Sequence, residues 1–251
     1  MMTKNCNEYL IMTEKELRKD LAACYRLVAH YGWDDLVFTH ISVRLPGDEP
    51  QFLINPYGML FEEITASSLV KVDMQGNKLE DSEFPVNPAG FNIHSAVHEV
   101  RHDAQCVLHL HTNAGVAVSA QAEGLLPLSQ QSLFALSSLS YHDYEGVALN
   151  VDEKARLQAD LGNTNFMILR NHGLLTCGPT IADTFLRMFV LQRACEIQLM
   201  AQASPNLVSV PQPILAGIQA QAEQVTKGLG GQLAWPGLLR LLDRKNPGYE
   251  A

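Results

Sequence analysis

Cys106-Val107-Leu108-His109-Leu110-His111 is the stretch on which the fold turns. It is apolar apart from its two histidines, so it reads as a buried strand over 105–111, and on a strand residues two apart share a side. His109 and His111 can then converge on one ion while Leu108 and Leu110 enter a core. The competing reading is two ordinary histidines near a strand end. Arg170-Asn171-His172-Gly173 tips the balance. It follows a second apolar run, Phe166-Met167-Ile168-Leu169, and Gly173 lets the chain turn sharply. Three neutral imidazoles leave a fourth position open on zinc, the layout of a catalytic rather than a structural site. Such an ion polarises a carbonyl or stabilises an enediolate.

Other clusters carry less. His94 and His98 share a helical face. No Glu stands at position 95, so the His-Glu-x-x-His pattern is absent and a core or surface pair is the plain reading. Cys106 and Cys177 have apolar neighbours and read as buried structural thiols. No Gly-x-Ser-x-Gly elbow, phosphate loop or dinucleotide fingerprint occurs. Gly228, Gly230 and Gly231 follow a predicted helix, not a strand, and read as a flexible turn.

A chain of 251 residues, 47% hydrophobic and 18% charged, can bury a sizeable core. Its formal net charge of -9 argues against nonspecific nucleic-acid binding. Five scattered cysteines without a Cys-x-x-Cys pair support neither a disulfide framework nor a cysteine zinc knuckle, so a reducing cytoplasm is expected. Residues 1–15 lack an apolar signal core, and no run of about 18 apolar residues could span a bilayer. No membrane partner is therefore expected.

Periodicity and turn chemistry lay out the rest. Thr13-Glu14-Lys15-Glu16 has capping-box form and opens a helix to about Tyr31, stopped by Gly32. Strands are expected over 38–44, 51–55, 69–72, 139–144 and 166–170, with a return over 174–176. Asn55-Pro56-Tyr57-Gly58 is a turn signal. The two prolines of 84–90 predict an extended connection. Helices are expected over 91–100, 112–121, 152–161, from Thr180 to 203, and over 214–227 and 235–242. Residues 1–12 read as a lead-in, and 125–138 is ambiguous. Residues 1–205 read as one α/β domain, with 206–251 a helical extension packed on it.

Thr39-His40-Ile41-Ser42-Val43-Arg44, the turn at 55–58, the His-Leu-His within 101–112, and Arg170-Asn171-His172-Gly173 together resemble the class II aldolase/adducin family over about 16–203. The resemblance implies a three-layer α/β/α sandwich around a mainly antiparallel sheet. It also implies a divalent ion, zinc or alternatively manganese, held by His109, His111 and His172. A small-molecule substrate and a homo-oligomer follow from it too, a fourfold-symmetric tetramer with sites at subunit boundaries.

The departures from that pattern narrow the function. In the sugar-phosphate aldolases a Gly-Asn precedes the Ser-x-Arg element; here the pair is Thr39-His40. The Thr-Gly of the next phosphate-holding loop is Tyr57-Gly58, and the Ser-Ser-Glu that carries the acid/base carboxylate falls at Pro88-Ala89-Gly90. His40, Ser42, Tyr57, Gly58 and Gly90 are thus the substrate-binding candidates. Proton transfer needs a group within reach to replace the carboxylate. His40 and Tyr141 are candidates, with Asp81 and Glu83 upstream. Asn87-Pro88-Ala89-Gly90-Phe91-Asn92-Ile93-His94 and Tyr141-His142-Asp143-Tyr144 look closer to the adducin head domain and its bacterial relatives. Two functions stand open. One is a metal-dependent lyase (aldol cleavage, decarboxylation or related enolate chemistry) on a small hydroxy- or oxo-acid or carbonyl compound rather than a typical sugar phosphate. The other is a non-catalytic, adducin-head-like oligomerisation or cytoskeleton-type binding module.

Overall fold

Thr13 starts the first helix, α1 (Glu14–His30), by the reciprocal bonding its sequence predicts. Its hydroxyl accepts from the Glu16 N–H, and the Glu16 carboxylate accepts from the Thr13 N–H at 2.7 Å. The chain then runs β1 (His40–Arg44), β2 (Gln51–Ile54), β3 (Val70–Asp73), α2 (Pro88–Val100), β4 (Cys106–Leu110), α3 (Asn113–Ser119), α4 (Gln130–Leu136) and β5 (Leu139–His142). It continues through α5 (Glu153–Leu161), β6 (Phe166–Leu169), β7 (Gly173–Gly178), α6 (Ile181–Ala201), α7 (Gln212–Leu215), α8 (Ile218–Thr226) and α9 (Trp235–Lys245). The computed structural model describes residues 12–146, 152–227 and 229–251. Most of the expected lead-in, and Gly228 of the glycine-rich turn, lie outside them.

The strands form one seven-stranded sheet in the order β3-β2-β1-β4-β7-β6-β5. Every pairing is antiparallel except β5 with β6. Alternation then sorts the side chains. Ile41, Val43, Cys106, Leu108, Leu110, Ile168 and Leu174 meet α1 and α6 in the larger core. Val107, Met167, Leu169, Leu175 and Cys177 face the other way, against Ile93 and Val97 of α2 and Leu157 and Leu161 of α5. The result is a sheet between two helical layers, as the resemblance implies.

Two local expectations are corrected and one open stretch gains a helix. Helix α2 begins at Pro88, inside the stretch expected to be extended. Proline suits a first helical position, because its missing N–H would find no intrahelical partner there. The ambiguous 125–138 stretch contains α4, capped by Ser129, whose hydroxyl accepts from the Ser132 N–H at 3.1 Å. The helix expected over 214–227 is two pieces, broken at Gly217.

The C-terminal segment returns to the first helix. Trp235, Leu242 and Tyr249 are buried in the larger core. Arg26 of α1 donates to the carbonyls of Ile64 and Pro247 at 2.7 Å each and to Asn246 Oδ1 at 2.9 Å. The N–H groups of Ala66 and Ser67 donate to the carbonyls of Tyr249 and Ala251. Among the described residues, no helix is long and apolar enough to cross a membrane.

Candidate metal centre

Strand β4 delivers His109 on the α2 side of the sheet, and His111 follows one residue past its end. Thr112 then caps α3, accepting from the Gly115 N–H at 3.1 Å and donating to Gln192 of α6 at 2.5 Å. His111 is thus pinned between a strand and a helix. His172 comes from the β6–β7 turn, where Asn171 takes the left-handed conformation (φ +55). A Cβ on Gly173 would stand 2.5 Å from the Leu110 carbonyl oxygen and 3.1 Å from the His111 ring. Only glycine lets this turn lie against the strand end. The three rings form a near-equilateral triangle with centroid separations of 4.7, 4.8 and 4.8 Å.

Hydrogen bonds fix which nitrogens face inward. His109 Nδ1 lies 2.9 Å from the Leu174 carbonyl, so it carries the proton and donates it. His111 Nδ1 lies 3.0 Å from an Asp35 carboxylate oxygen and does the same. Both Nε2 atoms are then bare, yet they stand 2.9 Å apart. Lone pairs that face each other at this distance suit a shared cation, a proton or a metal ion. The spacing is near the ~3.3 Å edge of a tetrahedral site with zinc–nitrogen bonds of about 2.0–2.1 Å. The ligand atoms of His109, His111 and His172 all lie within 4.8 Å of one another. The donor set therefore fits a divalent ion. Burial, and secondarily the neighbouring imidazoles, hold His109 well below the usual histidine pKa and His172 down to about 4. Both are neutral, the form that binds metal, near pH 7.

A second set of histidines adjoins the first. His40 pairs with His109 across β1 and β4, and their rings are 5.1 Å apart. His40 Nδ1 contacts His94 Nε2 at 2.7 Å, and Ser42 Oγ contacts both His94 Nδ1 at 2.5 Å and His98 Nε2 at 2.7 Å. All four groups are buried. Burial first, and like neighbours second, hold His40 and His94 well below the usual value. His98 is pushed down to about 3, with Arg44 as the second cause.

The other candidate positions are spread more widely. Gly90 lies directly under His40. Tyr57 and Gly58 sit on the loop after β2, against Pro85 and Phe84. That loop is tied to β1 through Tyr25, whose hydroxyl accepts from the N–H groups of Ile41 at 2.7 Å and Asn55 at 3.1 Å. The Tyr141 hydroxyl accepts from the Leu125 N–H at 2.9 Å, beneath the Arg170 guanidinium. The tyrosine ring in contact with His172 is that of Tyr144, 6.3 Å away and half exposed. Asp81 and Glu83 are exposed. Sequence reasoning passed over Asp35, on a loop after α1. The bend that carries it puts neighbouring Leu36 at φ +51, unusual for a branched side chain. It also passed over Tyr144 and read His94 and His98 as a plain pair. Their spacing was the available signal.

The model of the Class II Aldolase and Adducin N-terminal domain family matches residues 19–199. A Pseudomonas aeruginosa protein named for class 2 aldolases is 68% identical over 240 residues, 94% of this chain and 92% of that one. Alpha-adducin of Mus musculus is 41% identical over 251 residues, which is 94% of this chain but 34% of the adducin. The crystal structure of an aldolase II superfamily protein from Pseudomonas syringae superposes with a TM-score of 0.91 at 47% identity, covering 95% of this chain and 96% of that one. L-fuculose 1-phosphate aldolase from Glaciozyma antarctica gives 0.80 at 28% identity, over 92% and 90%. The fold, the histidine geometry and the extent of these matches lead to one assignment: the chain belongs to the class II aldolase and adducin N-terminal domain family.

Proposed function

We propose that the protein is a lyase of aldolase type that uses a divalent ion, zinc in the first instance, held by His109, His111 and His172. The observation that carries this reading is the pair of bare Nε2 atoms 2.9 Å apart, with both Nδ1 atoms committed elsewhere. Bound there, a divalent ion supplies Lewis acidity, polarising a substrate carbonyl and stabilising the negative charge that develops on its oxygen. The protein's own groups do the rest. His109 and His111 are aimed by the Leu174 carbonyl and by Asp35. His40, beside His109, is the polar group placed to exchange a proton or hydrogen bond with substrate. Tyr144 covers the His172 side.

The substrate class is a small hydroxy- or oxo-acid, or another carbonyl compound, rather than a typical sugar phosphate. Two guanidiniums are partly committed within the protein, although Arg44 Nε is buried without a hydrogen-bond partner. Arg44 donates to the His98 carbonyl and covers the Phe52 ring. Arg170 donates to the Gln121 carbonyl and covers Tyr141. A homotetramer is part of the same reading, and sedimentation of the purified protein tests it.

The purified protein should hold about one divalent ion per chain, and His109→Ala should release it. Full occupancy in that variant would end the metal reading. Turnover is then sought across hydroxy-acids, oxo-acids and sugar phosphates, with and without metal. A second reading, a non-catalytic assembly module, is favoured by Gly90, where the family's acid/base carboxylate would stand, and by the similarity to alpha-adducin. Metal-dependent product from any compound of the panel excludes it, and turnover of sugar phosphates alone would overturn the substrate class.

A further inference from the structure

A cavity of about 840 Å³ opens between α4, α6 and α8, where β5 and β6 begin. It lies at the other end of the sheet from the histidine triad. Gly173, packed against His109 and His111, starts β7, whereas Phe166 of the cavity wall pairs with Thr176 near the end of that strand. The volume falls within the ~300–1,000 Å³ of small-molecule sites. The walls are mainly apolar, with Leu133 and Phe134 from α4, Leu186 and Val190 from α6, and Ile218 and Val225 from α8. Val225 lines this concavity and is still 78% exposed, so the fold itself leaves apolar surface uncovered here.

Among the described residues, the one cation on the wall is Arg187 of α6. Its Nη1 donates to the Cys177 carbonyl, and it forms no other hydrogen bond and no ion pair among those residues. Its remaining N–H groups are not sealed in protein, since none is among the buried polar atoms that lack a partner. They reach the open space that the side chain lines. Burial holds the guanidinium below the ordinary arginine pKa, and the nearby acids do not offset it. Those acids are committed elsewhere. Asp183 accepts from the Gly231 N–H at 2.8 Å through Oδ1 and from the Thr180 hydroxyl at 2.7 Å through Oδ2. Asp103 is held by Arg101 through two bonds of 2.8 Å. Glu223, the other acid on the wall, is exposed on α8.

A guanidinium with spare N–H groups favours a planar anion that takes two of them at once. The apolar walls favour a hydrocarbon body. We propose that this cavity binds an amphipathic carboxylate, an apolar chain or ring whose one carboxylate pairs with Arg187. The charge pattern discriminates between occupants. A cationic amphiphile would face a like charge, and a neutral one would leave the guanidinium without an anion. The site shares no residue with the triad and holds whether or not the triad carries an ion.

Isothermal titration of the full chain with octanoate, 1-octanol and octylammonium, each below its micellar concentration, tests this. Octanoate should bind at about one per chain, octanol more weakly and octylammonium not at all. Arg187→Gln should weaken octanoate about 10–100-fold, the worth of a charge-assisted pair, and leave octanol unchanged. Ala222→Trp, on the largely exposed α8, should fill the cavity and abolish both. No octanoate binding overturns the proposal, as does equal binding of octanoate and octylammonium, or an unchanged octanoate affinity in Arg187→Gln. Sedimentation of the same samples covers the remaining occupant. If octanoate fails to bind and Ala222→Trp breaks an assembly of copies, the groove is an interface between chains and the carboxylate site is excluded. The comparison of three head groups on the unaltered protein decides even if a variant fails to fold.

Discussion

The His40 ring fills the space above Gly90: a Cβ added to that glycine would stand 2.3 Å from His40 Cδ2 and 2.7 Å from Nε2. The two positions are coupled by volume. One accommodates a side chain only if the other gives way. The steric fit accounts for a residue without a side chain at position 90 beneath the His40 ring.

Gly90→Ala should therefore destabilise the protein by about 1–3 kcal/mol, the usual cost of overpacking. For a chain of this size that lowers Tm by roughly 2–12 °C. In a His40→Ala background the same substitution should cost little. Gly90→Glu should likewise be tolerated only together with His40→Asn. Thermal melts of the four combinations form a double-mutant cycle, and equal costs in both backgrounds would remove the coupling.

Asp35 should matter to metal without touching it. Asp35→Ala removes the acceptor that sets the His111 tautomer and should weaken zinc affinity about 10–100-fold, a typical effect for such orienting groups. Asp35→Asn, which retains an acceptor oxygen, should fall between. Competition against a chelator measures this; an unchanged affinity in Asp35→Ala would take the residue out of the site.

The metal-free protein should lose stability as pH falls below about 6.5, the ordinary histidine value. The sign follows from the depressed folded pKa values. The unfolded chain takes up protons that buried His40, His94, His98 and His109 refuse. Stability is therefore complete above 6.5 and declines toward the folded values, about 4 for His172 and about 3 for His98. Each such histidine adds about 1.4 kcal/mol per pH unit to the slope. Denaturant melts between pH 5 and 8 should show the decline, and His98→Gln should make it shallower. A flat profile would contradict the buried neutral histidines.

Removing residues 230–251 should unfold or severely weaken the protein. The segment contributes Trp235, Leu242 and Tyr249 to the core, at about 1.5–3 kcal/mol for each large apolar side chain. It also supplies the acceptors that Arg26 holds. An unchanged Tm for the shortened chain would show the segment to be dispensable, against its reading as an extension packed on the main domain.

What could be read from the residues follows from how local the determining physics is. Strand alternation placed His109 and His111 on one side and Leu108 and Leu110 on the other, because that depends only on neighbours. The Thr13 cap was legible for the same reason. Helix α2 was misjudged at its start, since Pro88 is a breaker inside a helix but a starter at its first position. Asp35 was invisible because its partner is 76 residues away and the loop between gives no periodic signal. The His40–Gly90 fit was legible only as two substitutions in a pattern; their compensation needed the approach of α2 to β1.

Thr112 has a last consequence. It holds the backbone at the His111 end through both Gly115 and Gln192, bonds that use none of the three histidine rings. An ion bound by the triad would add stability by mass action, about 2.7 kcal/mol at a free concentration one hundred times Kd. If the triad holds its ion as proposed, dialysis should exchange one divalent metal for another. The metal carried in the cell would then be set by supply and by the order of intrinsic affinities, and assays should be run on protein reloaded with a defined ion.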